Sequence, residues 1–169
     1  MKKVRVLVDV DEQKLSVIGS QGEQQNVIFE TQISTAKNGV GQLQGSECTP
    51  LGSHRIRAKI GHACDVNTVF VGRRPTGEIY SAELGSKFPQ RDWILTRILW
   101  LCGNEVGYNR GGEVDTMRRY VYIHGAPDAH PMGIPSSHGC IKMRNSDVLS
   151  LYPLVDVGTS VIINKASDD

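Results

Sequence analysis

The sequence predicts a mainly β fold, a β-sandwich or barrel-like sheet with one short helix, and three observations support this. Short runs such as Val4-Arg5-Val6-Leu7-Val8-Asp9-Val10 alternate apolar and polar residues with the two-residue period of a strand. Glycine, proline, asparagine and aspartate punctuate these runs at short intervals, as turns require. Helix signals gather in one place only, after Cys140. Many short strands with a single helix bury their apolar faces best as packed or closed sheet.

Val4 to Val10 reads as the first strand, Asp11-Glu12 as a turn, and Leu15 to Ile18 as the return strand of a hairpin. Val27 to Ser34 is a further strand, and Asn38-Gly39-Val40-Gly41 opens a polar loop that runs to Glu47. Thr49-Pro50-Leu51-Gly52 then breaks the chain before Ser53 to Ile60, where basic and apolar side chains alternate. Val69 to Val71, Ile79 to Leu84 and Asp92 to Leu101 continue the strand pattern. Gly103 to Asp115 is polar and glycine-rich, a long loop of the kind that borders a site. Tyr120 to His124 is a short apolar strand ending at Gly125, and Ala126 to Ser136 is a loop with three prolines and one glycine. Asn145 or Ser146 is expected to cap the helix, with Asp147 in its first turn and Val148, Leu149, Leu151 and Tyr152 on its apolar face. Pro153 limits its length, and Gly158-Thr159 precedes a closing strand from Ser160 to Ile163.

The length of 169 residues suits one domain, 1–169, with a substantial core. Nineteen basic residues against eighteen acidic leave a net charge of +1, so no overall field draws the chain to nucleic acid or an anionic membrane. The apolar runs fall far short of a bilayer span. After Met1-Lys2-Lys3, Arg5 and Asp9 interrupt the apolar stretch that an export signal needs. A cytoplasmic location is therefore expected if Met1 is the native start, and a periplasmic one if a leader has been removed. Reduced thiols follow from the first case. Cys48, Cys64 and Cys102 are expected to be small buried hydrophobes, and His54, His62 and His130 loop or surface residues.

The chemistry concentrates at the end of one strand and the loop after it. Ser137-His138-Gly139-Cys140 follows His124-Gly125 after the proline-rich loop. A thiol attacks a carbonyl as its thiolate, and an imidazole nearby can take the proton. His124 at a strand end has a fixed direction, whereas His138, two residues from Cys140, has no assured geometry with it. Cys140 is thus the candidate nucleophile and His124 the base. Gly139 lets backbone approach a substrate closely, and the amides around Gly139 and Cys140 are candidates to hold an oxyanion. Zinc is the competing chemistry, since His62, Cys48, Cys64, His138 and Cys140 include ligand types. No paired CxxC or HxxxH spacing is present, so no metal is expected.

His124-Gly125, twelve residues from Gly125 to Ser136, and then Ser137-His138-Gly139-Cys140-Ile141 resemble the signature of the YkuD-type L,D-transpeptidase domain. The likeness extends through Asn145 to Ile163 and back to Thr49-Pro50-Leu51-Gly52, similar to that family's TPxG turn. It implies a YkuD-like β-sandwich that uses no cofactor and acts on peptidoglycan stem peptides. The implied reaction cleaves the bond between diaminopimelate and terminal D-Ala through a thioester on Cys140. The Gly125 carbonyl would hold the tautomer of His124, and Ser137 and His138 would support the motif. The family often has arginine where this chain has Lys142, which keeps the charge but not the bidentate fork. Arg144 is the nearest substitute.

Tyr108, Asn109 and Arg110 in the long loop, together with Arg119, Lys142 and Arg144, are the candidate substrate contacts. Arg118 and the Arg73-Arg74 pair are further candidates for a substrate carboxylate. In lacking an export signal the chain resembles the family's non-exported members, which favours water as acyl acceptor and makes the enzyme an L,D-carboxypeptidase acting on tetrapeptides or recycled muropeptides. An amine acceptor makes it a transpeptidase forming 3–3 crosslinks. A catalytically silent muropeptide-binding module is the alternative from another class. Oligomeric state is not written in the sequence.

Overall fold

A computed structural model describes residues 3–165. Its ten strands join through hydrogen-bonded neighbours into one sheet. In chain order they are β1 (Lys3–Asp9), β2 (Lys14–Gln21), β3 (Gln24–Gln32), β4 (Gly52–Ile60), β5 (Thr68–Val71), β6 (Arg74–Ile79), β7 (Ile94–Gly103), β8 (Tyr122–Ala126), β9 (Ile141–Arg144) and β10 (Ser160–Asn164). Two short α-helices, α1 (Ala82–Lys87) and α2 (Asn145–Leu151), and two 3-10 turns, Gly112–Val114 and Tyr152–Leu154, complete it. The path runs β3-β2-β1-β10-β4-β7-β5-β6, with β8 on β7 and β9 on β8. Pairing is antiparallel except for β1 with β10 and β8 with β9.

Alternation in the sequence explains the core. Val6 and Val8 of β1 turn inward with Leu15 and Val17 of β2 and Val161 and Ile163 of β10. Val148 and Leu151 of α2 pack into the same cluster, as do Ile123, Ile141 and Met143 of the strands that carry the motif. Each such side chain taken fully out of water contributes about 1.5–3 kcal/mol. The strands holding the motif are therefore anchored in the main core.

Several expectations need correction. Ile79 to Leu84 is not a strand: β6 ends at Ile79, and α1 begins after Ser81, whose Oγ accepts the Leu84 amide at 3.1 Å. The N-cap signal outweighed the apolar alternation. β6 itself escaped notice because Pro75 and Gly77 punctuate it. Proline is tolerated there because β6 lies at the sheet's edge. Neither Asn145 nor Ser146 caps α2; Arg144 occupies that position without a side-chain cap, while Asn145 is buried and bonded elsewhere. Cys102 is buried, but Cys48 and Cys64 are only half-buried, and all four cysteines are free thiols. His54 is wholly buried, its Nδ1 donating to the Gly52 carbonyl at 3.0 Å and its Nε2 meeting Thr116 Oγ1 at 2.9 Å. Burial lowers its pKa to about 4.

Candidate active site

β8 delivers His124 and β9 begins immediately after Cys140. Their parallel pairing sets Ile123 opposite Ile141 and His124 opposite Lys142. His124 is buried, and its Nδ1 lies 2.6 Å from the Gly125 carbonyl. A carbonyl only accepts, so Nδ1 carries the proton and Nε2 keeps its lone pair. Burial pulls the imidazole's pKa down; the Gly125 bond and the charge of Asp92 oppose this, and Lys142 adds to it. The resting histidine is a neutral base of fixed tautomer.

Gly125 is glycine for want of space. A Cβ built there would lie 2.5 Å from Asn145 Oδ1 and 2.6 Å from the Leu95 carbonyl. Asn145 is the centre of that contact: its Oδ1 accepts from Thr96 Oγ1 and its Nδ2 donates to Asn67 Oδ1 at 2.9 Å. The amide that fails to cap α2 thus fixes the floor beneath the histidine's carbonyl partner.

Cys140 Sγ accepts the Tyr122 amide at 3.3 Å, and its thiol proton faces the Tyr120 carbonyl at 3.5 Å. Burial pushes the thiol up to about 12; the Tyr122 amide and Arg119 counter this, while Asp92 reinforces it. Both shifts favour thiol and neutral imidazole over an ion pair at rest. Both residues line one hollow of about 420 Å³, together with Arg73, Asp92, Tyr122 and Ser137. A second hollow of about 300 Å³ also reaches Cys140, walled by Glu47, Arg118, Arg119 and His138.

The turn before the cysteine is held from three sides. Ser137 Oγ donates to the Cys140 carbonyl at 2.5 Å and accepts the Gly139 amide at 3.2 Å. Of the two amides expected at an oxyanion, Gly139's is therefore already engaged at rest. Gly139 has a φ of +129°, and a side chain there would meet the Cys48 carbonyl at 3.3 Å. The strand-like segment 34–37 runs alongside, with Thr35 accepting the Ser136 and Ser137 amides at 2.9 Å. Finally, Thr49 Oγ1 donates to the Gly139 carbonyl at 3.0 Å while accepting the Ala36 amide at 3.0 Å. The Thr49-Pro50-Leu51-Gly52 turn is thereby tied to the cysteine motif, a role its sequence position does not disclose. Thr49→Val removes both bonds inside a buried site, which predicts a loss of about 1–3 kcal/mol in thermal or denaturant unfolding. Acylation should slow as the Cys140 turn loosens.

The remaining candidates are dispersed. His138 is exposed at the mouth of both hollows. Arg119 stands beside Cys140, but its guanidinium is spent on the loop after β3. Nη1 donates to the Gly41 and Gln42 carbonyls at 3.2 and 3.1 Å, and Nη2 to the Cys48 carbonyl at 2.6 Å. Asn109 is buried, its amide bonded to the Leu51 and Ser53 carbonyls at 3.2 and 2.9 Å. Tyr108, Asn109 and Arg110 line neither hollow at the cysteine, and the same holds for Lys142 and Arg144. Lys142 is buried with Nζ 3.5 Å from His130 Nδ1, and Arg144 reaches Gln32 Oε1 at 3.3 Å. Sequence reasoning missed Asp92, whose charge acts on both His124 and Cys140. It also left Arg73 undecided. That guanidinium lies 4.8 Å from the ring centroids of Trp100 and Tyr120 and donates to Tyr122 Oη at 3.1 Å. Among the described residues no cluster of His, Cys, Asp and Glu has the makings of a metal site.

Comparison with known proteins shows the family and the fold. The family model for YkuD, the L,D-transpeptidase catalytic domain, matches residues 3–163. The Campylobacter jejuni helical cell shape determining protein Pgp2 superposes with a TM-score of 0.61 at 18% identity, over 99% of this chain and 49% of that one. Bdellovibrio bacteriovorus Bd1075 gives 0.60 at 18% identity, over 96% and 48%. An L,D-transpeptidase from Mycobacterium smegmatis gives 0.55 at 21% identity, over 96% and 59%. The chain spans about half to three-fifths of these proteins' lengths, and at such identities the likeness is one of fold. No curated protein matches the sequence. With the family model covering nearly its whole length, and a mainly β sheet like that of its solved relatives, the chain belongs to the YkuD family of L,D-transpeptidase catalytic domains.

Proposed function

We propose that this L,D-transpeptidase-type cysteine enzyme is an L,D-carboxypeptidase, releasing terminal D-Ala from peptidoglycan tetrapeptides. Cys140 Sγ attacks the carbonyl of the L-centre of diaminopimelate as His124 Nε2 takes the thiol proton. The proton then passes to the departing D-Ala nitrogen, leaving a thioester. Water attacks it with His124 again accepting a proton, and tripeptide leaves as the thiol is restored.

The observation that carries this reading is the meeting of two hollows at Cys140, one of them walled by Arg118 and the other by Arg73. Guanidinium groups there favour the carboxylate of a terminal D-Ala. Water enters either hollow without the desolvation that a charged amine acceptor must undergo. Recycled, soluble tetrapeptide is the substrate that suits such a site. Purified protein given free or disaccharide-linked tetrapeptide should release D-Ala and accumulate tripeptide, even with excess acceptor peptide present. Mass spectrometry reads the outcome, and a product mixture dominated by 3–3 crosslinked dimers would sink the carboxypeptidase reading.

A further inference from the structure

A second charged hollow lies apart from the cysteine. On β4, Ile56 is buried in the main core, while Arg55 sits in register with Cys102 of β7 on the other face. The pairing of β4 with β7 shifts between Ile56 and Ala58, so Arg57 is the extra residue of a bulge. Bulges re-aim side chains, and this one leaves Arg57 beside Arg55. Arg110, from the loop after β7, supplies a third guanidinium. With Cys102, Asp115 and Met117 they line a hollow of about 410 Å³ that shares no lining residue with the two at Cys140.

The charges there are unbalanced. Asp115 is the one acid of the lining, and its oxygens already accept the Gly111 and Arg118 amides at 2.7 and 3.0 Å. Arg55 donates to Asn104 Oδ1 at 2.7 Å. Among the described residues, the guanidinium groups of Arg57 and Arg110 have no hydrogen bond and no ion pair. Arg57 and Arg110 are exposed, so water and salt screen their repulsion from Arg55, and an anion that bridges the three gains from all of them at once. A single carboxylate satisfies one fork. A diphosphate carries several negative charges and enough oxygens to engage three guanidinium groups at once.

We propose that the hollow framed by Arg55, Arg57 and Arg110 is a binding site for a diphosphate group. Inorganic pyrophosphate and a nucleoside diphosphate share that chemistry, and the exposed Val157 with Met117 offers an apolar wall to a base. The site stands independently of the peptidase reading.

Calorimetric titration of the full chain at low salt tests it, with pyrophosphate, uridine diphosphate and citrate as the three probes. Saturable one-to-one binding of at least one diphosphate is expected, weakening as salt rises. Arg57→Gln and Arg110→Gln should each weaken it about tenfold or more, and Arg57→Lys by less, since charge survives without the fork. Near-UV circular dichroism confirms that each variant is folded. Equal affinity for the two diphosphates assigns the site to the diphosphate alone, and tighter uridine diphosphate assigns it to a nucleotide. The proposal fails if neither diphosphate binds saturably, if citrate binds as tightly, or if folded variants bind like the parent.

Discussion

Cys140→Ala is expected to abolish turnover of tetrapeptide while leaving the fold intact. The residue is half-buried at the junction of two hollows, and its side chain contributes one weak bond to the Tyr122 amide and one to the Tyr120 carbonyl. Losing these costs little stability, but no thioester forms without the sulfur. Intact-mass measurement of an acyl adduct, followed by peptide mapping, checks the assignment. Mapping is needed because Cys48 and Cys64 are also half-buried and open to reagents. An adduct on Cys48, Cys64 or Cys102 with Cys140 unmodified overturns the assignment.

His124→Ala is expected to slow single-turnover acylation by about 10²–10⁴-fold, against a small change for His138→Ala. The reason lies in the resting protonation states. Burial keeps His124 neutral and pushes the Cys140 thiol up to about 12, so near neutral pH the pair holds a thiol, and the base must take its proton as attack proceeds. Without His124, only free thiolate reacts. The residual rate of the variant should therefore climb about tenfold per pH unit through the alkaline range, a slope that the parent lacks. His124→Gln repeats the test without opening a buried cavity. A larger loss for His138→Ala would reverse the two roles.

How much of this was legible in the sequence depended on whether the information was contiguous. Ser137-His138-Gly139-Cys140 and His124-Gly125 are short contiguous strings, and β1 and β4 alternate over enough residues to be read as strands. β9 was missed because its four residues, Ile141–Arg144, fit between the motif and α2. The residue type of Asn145 suits a cap, whereas Thr96 and Asn67 hold its amide across the fold. The bond from Thr49 to Gly139 spans ninety positions, and no local pattern announces it. Arg119 shows the converse limit: sequence suggested a cation near the substrate, but only coordinates show its hydrogen bonds closing a loop.

The pairing of β1 with β10 has a consequence for how the molecule is made. Along the ladder of described strands, β3, β2 and β1 join the rest of the sheet at β10, in a register that matches Arg5 with Ser160 and Asp9 with Asn164. During synthesis, β1 leaves the ribosome with its inner edge vacant. At about 5–20 residues per second, roughly 8–30 s pass before β10 has been translated. Until then Val6 and Val8 lack their in-sheet neighbours Val161 and Ile163. Sequence-distant pairing of this sort makes for slow folding. The sheet is expected to close late, and the nascent chain to be most open to chaperones, or to mispairing with a neighbour, in the interval before it.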